Sequence, residues 1–177
     1  MVHDEQRAKD LFTAYLGSSL EMHRQGRHEE YKAFQIPIET EIEWFNELID
    51  RYSKELSIMD WNAVSRLEAI AKNHLEPRII ENVTLFAGRH VMSADSAVKL
   101  MYAEHLIRLT KVFKKVISKE LLYNAYRTAV QILEDIISKP LIIDPGHELQ
   151  QFKLKDKKSL NNRARMSVEE IKEELNL

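Results

Sequence analysis

Apolar residues return every three or four positions along nearly the whole chain, and no stretch longer than four residues alternates apolar with polar. That step lines apolar side chains along one face of an α-helix, whereas a half-buried strand needs a period of two. The chain therefore reads as helix throughout. Only 4 Gly and 4 Pro interrupt it, which suits a few long helices rather than many short strands.

The first stripe, Leu11, Phe12, Tyr15, Leu16, Leu20 and His23, predicts a helix over Gln6 to Gln25. Pro37 opens a second helix, where its missing N–H costs nothing. There Ile38, Ile42, Phe45, Ile49, Tyr52 and Leu56 form a heptad seam. Asp60 is placed to cap a third helix carrying Val64, Leu67, Ile70, Ala71 and His74. Pro77 opens a fourth, with Ile79, Ile80, Val83, Phe86 and Ala87, and Gly88 reads as its left-handed cap. Ser93 or Asp95 caps the longest helix, to Ile117, and Ser118 caps the last, to Ser138, with Pro140 beyond it. The expected fold class is all-α, a bundle of about six helices.

After Asp144-Pro145-Gly146 the character changes. Residues 153–165 are basic and poor in large apolar side chains, and Ser167-Val168-Glu169-Glu170 has the form of a capping box before a short acidic helix to Leu177. The expected organisation is a helical domain over 1–145 and a flexible, polar tail with a short terminal helix over 146–177.

At 177 residues the chain is large enough for one core, and 44% hydrophobic with 31% charged residues describes a globular protein. The absence of Cys excludes a disulfide framework, an iron–sulfur cluster and a thiol nucleophile. With 26 Lys and Arg against 28 Asp and Glu, no concentration of positive charge points to nucleic acid. No apolar run approaches the ~20 residues of a membrane span, and the polar N-terminus does not read as a signal peptide. A cytoplasmic location is expected.

Motifs for the common chemistries are missing. No Glu stands three positions before a His, as a di-iron bundle requires, and His28-Glu29 leads to Lys32 where a zinc protease has its second His. The four glycines, at 17, 26, 88 and 146, form no phosphate loop. Ser93, Ser118 and Ser167 sit where helix caps are expected. Glu104 and His105 are neighbours on one helix and diverge by about a quarter-turn or more. His105, on an apolar stripe, reads as a core histidine with satisfied nitrogens, and Arg108, Lys111, Lys115 and Lys119 read as a solvated face. No catalytic or metal site is expected.

One set of residues is less ordinary. His74, His90 and His105 lie near helix ends or inward stripes, and Phe45, Phe86, Met101 and Tyr102 come from neighbouring segments. Around one centre they have the composition of a small-molecule pocket, although an equally apolar set can close up as core.

The order of elements resembles a globin-type fold. The resemblance is carried by the capped helix LMYAEHLIRLTKVFKKVI, the Ser118-Lys119-Glu120 break and LLYNAYRTAVQILEDII, which resemble the final two globin helices. From Tyr31 to Leu141, with the Asp60-Trp61 corner, the chain is also similar to the haem-less sensor domains of stressosome proteins and of sporulation histidine kinases, including small stand-alone inhibitors. The resemblance implies a non-enzymatic, homodimeric sensor that binds a fatty-acid-like ligand where haem would sit and modulates a sensor kinase in a sporulation or stress pathway. Phe45, Phe86, Met101 and Leu133 would supply the apolar tunnel, with Arg89, His90 or His105 at its polar end. Haem is disfavoured: His90 stands near the proximal position, yet VMSADS follows it. The alternatives are a helical interaction module with a fully packed core, or a haem-binding globin sensor.

Overall fold

Nine α-helices and no strand make up residues 2–176, the part of the chain that the computed structural model describes. In order they are α1 (Val2–Ala14), α2 (Ser19–Arg24), α3 (His28–Ala33), α4 (Ile38–Lys54), α5 (Asn62–Ala71), α6 (Arg78–His90), α7 (Ser96–Phe113), α8 (Lys119–Ser138) and α9 (Lys157–Glu174). Short 3₁₀ turns occupy Val91–Ser93 and Leu149–Phe152. Leu177 lies outside the described residues.

The expected six helices become nine because a turn splits the first stripe into α1 and α2, His28–Ala33 forms α3, and α9 occupies the C-terminal segment. Leu16 and Gly17 take positive φ values of 51° and 71°. The Gly17 amide donates to Phe12 and the Leu16 amide to Thr13, the paired bonds of a left-handed helix ending. The chain turns there, so Leu20 is 58% exposed and Met22 is buried instead. The α4 seam is also shorter than expected. Ile38 and Ile42 are 66% and 40% exposed, and burial starts at Trp44 and Phe45.

Asp60 accepts the Asn62 amide, the first of α5, at 3.0 Å, but from one residue before the cap position, which Trp61 occupies. Gly88 is a correction, because α6 continues through it to His90 and its φ is not left-handed. A Cβ at Gly88 would reach Thr128 Cγ2 at 4.0 Å. Asp95, not Ser93, caps α7 by accepting the Val98 amide at 2.8 Å. Ser118 caps α8 through the Leu121 amide, as expected.

Helix α7 runs through the centre, packed by α5, α6, α8 and α9. Leu100, Tyr102, Leu106, Leu109 and Phe113 are fully buried, so apolar residues emerge on several faces rather than on one stripe. Lys99 meets Asp135 of α8 at 2.7 Å, with both side chains about one-tenth exposed. Burial pushes the Asp135 carboxyl up, but Lys139 and Lys99 outweigh it and hold it below the usual range.

The C-terminal segment is not a free tail. Asp156 caps α9 by accepting the Ser159 amide, so the cap lies eleven positions before Ser167 and the helix buries that serine in its middle. Leu160, Ala164 and Ile171 face α7 and α8 with almost no exposure. Among the described residues, no helix is long and apolar enough to cross a membrane.

Candidate functional site

Of the seven residues expected to line a ligand tunnel, three line one groove. Phe45 joins an aromatic cluster under α1, its ring 4.7 Å from Phe12 and stacked at 4.8 Å on His74. Leu133 is fully buried, and Met101 is 9% exposed. The interior around them is closely filled: Leu67, Ile70, Ile79, Ile80, Val83 and Leu106 have no exposure. His105 is engaged on the α5 side. Phe86, Arg89 and His90 are the three that stay together.

These three line a groove of about 370 Å³ between α4 and α6, with Asp50, Ser53, Lys54, Leu56, Asn82 and Leu85. The Phe86 ring lies 5.0 Å from His90 and 5.6 Å from Tyr102. Leu56 and the half-buried Phe86 form an apolar floor. Arg78 pairs with Asp50 at 2.8 Å, which leaves Lys54 and Arg89 as the cationic rim. Beneath the floor, Tyr102 donates to the Ser57 carbonyl at 3.0 Å and accepts the Ser57 amide at 3.3 Å. Burial pushes the Tyr102 phenol up to about 12. Lys54 escaped the sequence reading because only the approach of α4 to α6 brings it beside Arg89.

His105 belongs to a second cluster, tying α5 to α7. Its Nε2 lies 3.0 Å from Ser65 Oγ, its Nδ1 lies 3.4 Å from Glu68, and Arg108 reaches Glu68 at 2.6 Å. The spacing resembles a Ser-His-Glu triad, but the hydrogen bonding does not. Ser65 donates its own proton to the Trp61 carbonyl at 2.8 Å, so the Nε2–H points to Ser65 Oγ as donor. Arg108 Nη2 stands 3.1 Å from Nδ1, on the side where Glu68 also approaches the ring. A general base needs that Nε2 bare. The arrangement serves packing: burial raises the Glu68 carboxyl, while His105 and Arg108 outweigh it and hold it below the usual range.

A third cluster sits at the start of α7. Ligating atoms of Asp95, Asp144 and His147 lie within 4.8 Å of one another, as a metal site would require. Asp95 is already engaged: it accepts the Val98 and Asp144 amides, and His147 Nδ1 stands 2.6 Å from it. Ser96 and Ile142 exchange two further bonds alongside. His147 also packs on Trp61, 5.1 Å between centroids. These contacts fasten the segment after α8 to the start of α7.

The chain matches no protein-family model, no curated protein and no solved structure, so the functional reading rests on this geometry and on the residues themselves.

Proposed function

We propose that this chain is a non-enzymatic regulatory domain that binds an amphipathic carboxylate in the α4–α6 groove and passes its binding state to a protein partner. One observation carries the reading: Phe86, Arg89 and His90 converge with Lys54 and Leu56 in a groove of about 370 Å³, within the ~300–1,000 Å³ usual for small-molecule sites. A cationic rim over an aromatic floor suits an anionic head and an apolar body, such as a short fatty acid. The ligand lies in this groove rather than in an interior tunnel, because Leu133 is fully buried and His105 is bonded on both ring nitrogens. Tyr102 connects the groove floor to Ser57, which gives binding a route to the α4–α5 corner.

The globin-like reading is part of this proposal. It is supported by the resemblance in sequence of Asp95-capped α7, the Ser118 break and α8 to the last two globin helices. The resemblance to haem-less sensors adds a homodimer, a sensor histidine kinase partner and a cytoplasmic location to what is proposed. The second reading is a helical interaction module, favoured by the filled interior and by Ile38 and Ile42 exposed at the start of α4.

Calorimetric titration with octanoate, and with 1-octanol as the uncharged control, tests the proposal. Octanoate is expected to saturate one site and octanol to bind more weakly. Arg89→Ala should weaken octanoate about tenfold, the ~1.4 kcal/mol of one charge-assisted hydrogen bond. Octanoate binding that ignores both Arg89→Ala and Phe86→Ala, or no binding at all, ends the ligand reading and leaves the interaction module.

A further inference from the structure

The contact between α9 and the rest of the chain differs in kind from the contacts inside the bundle. Leu160, Ala164 and Ile171 are its fully buried apolar side chains, with Ser167 among them. Polar contacts flank them. Arg163 grips Glu104 of α7 through two bonds, at 2.6 and 2.9 Å, and donates a third to the Phe152 carbonyl at 3.0 Å. Lys111 pairs with Glu170, and Lys114 with Glu174 at 3.3 Å. Lys157 sits on the Ile136 and Ile137 carbonyls at the end of α8 and on Asn161.

These charges sort by what happens to them if α9 leaves. Lys99 and Asp135 join α7 to α8, so their pairing needs nothing from α9. Glu104, Lys111 and Lys114 would return to water rather than remain buried without a partner, so separation avoids the penalty of an orphaned interior charge. The surface under α9 is thus apolar enough to hold a helix and polar enough to stand open, as interfaces that form and part tend to be. The seam is also incomplete, since a groove of about 800 Å³ runs between α7 and α9, with Ile107 and the 73% exposed Met166 on its walls.

We propose that α9 is a displaceable occupant of a helix-docking surface on α7 and α8, and that this surface receives a partner protein's amphipathic helix with the same order of side chains. The order is written in α9: Leu160, Arg163, Ala164, Ser167, Glu170, Ile171 and Glu174. A fitting helix has a narrow face of small and aliphatic residues, an Arg to meet Glu104, and Glu residues seven and eleven positions later to meet Lys111 and Lys114. The two outer pairs are exposed and add little affinity singly; they set register and reject helices of the wrong charge order. While α9 is seated the surface is closed, so a partner must compete with a helix tethered beside its own site. This proposal is independent of the α4–α6 groove.

A charge exchange in the full chain tests it. Lys111→Glu with Lys114→Glu repels the resident Glu170 and Glu174, so α9 amides should lose hydrogen-exchange protection while α7 and α8 keep theirs. A fluorescent peptide of residues 156–175 carrying Glu170→Lys and Glu174→Lys should then bind this variant, and the unmodified peptide should bind at least about tenfold more weakly. In the unaltered chain, α9 should exchange on the order of a hundredfold faster than α7 through local opening. Exchange of α9 only with global unfolding, or equal binding of both peptides, overturns the proposal. A dimer formed by the variant without peptide, in which α9 inserts into a second copy, overturns the partner-protein assignment.

Discussion

Leu133 separates a filled interior from a hollow one. Its side chain has no exposure in the middle of α8, a helix that contacts α6, α7 and α9. Leu133→Ala removes the burial of three carbon atoms and leaves a void if the neighbours hold their places. In such surroundings the transfer and cavity contributions together cost about 3–5 kcal/mol. A leucine lining a pre-existing tunnel would leave no new void, and the loss would fall to the transfer contribution alone, about 2 kcal/mol or less. Urea unfolding followed by far-ultraviolet circular dichroism gives the difference, with the slope m unchanged if only the native state is altered. At ~3 °C per kcal/mol for a chain of this size, the midpoint temperature should drop by roughly 10 °C. The variant should also gain an internal site for an apolar probe such as benzene, which the unaltered protein lacks. A loss below about 1.5 kcal/mol, with benzene already bound by the unaltered protein, refutes the filled interior and returns the ligand to a tunnel.

Two further outcomes follow from the geometry. Gly17→Ala should cost about 2–4 kcal/mol in the same assay, because φ is +71° and an added Cβ would stand 2.3 Å from Phe45 and 2.8 Å from Phe12; a loss under about 1 kcal/mol means that the turn is not held as described. The Glu68 carboxyl, held below its ordinary value near 4.5 by His105 and Arg108 against the opposing effect of burial, binds its proton less readily folded than unfolded. Its contribution is therefore complete above about pH 4.5 and is lost as pH falls through the lower folded value. Glu68→Gln should flatten that acid limb of the stability curve, and an unchanged limb would assign the acid sensitivity to Asp135 or another carboxylate.

The helical class was legible because periodicity is a local property, and so were caps such as Asp95 and Ser118, whose acceptors lie three residues from their donors. Three kinds of feature were not. The break at Leu16 falls inside an unbroken apolar stripe, and Leu16 itself takes the left-handed conformation that composition would assign to glycine. Helix α9 has so few apolar residues that its first half reads as linker, although Leu160, Ala164 and Ile171 do recur at helical steps. The partners of Glu68 and Glu104, and the Lys99 partner of Asp135, lie 36 to 59 residues away in sequence, so no spacing rule reaches them. For the candidate site, Phe86, Arg89 and His90 come together because they share one helix. Phe45, Met101, His105 and Leu133 share a stripe pattern with them but do not line that groove, since an inward stripe says that a residue is buried and not beside what.

Helix α7 shows why that distinction matters for function. A helix buried on all sides by apolar contacts alone would accept its neighbours in several registers, because dispersion and area burial are non-directional. Here three of the four surrounding helices meet a different polar residue on α7: Asp135 of α8 takes Lys99, Arg163 of α9 takes Glu104, and Ser65 and Glu68 of α5 take His105. Such pairs add little net stability, but each is satisfied in one alignment only, so they fix which face of α7 belongs to which neighbour. The α9 position is the one whose polar partners return to water when the helix lifts, and it is also the position with a groove left along its edge. A bundle built to be permanent would have closed that face with aliphatic side chains, of the kind α6 buries as Ile79, Ile80 and Val83. The polar choice is the physical ground for treating α9 as the moving part.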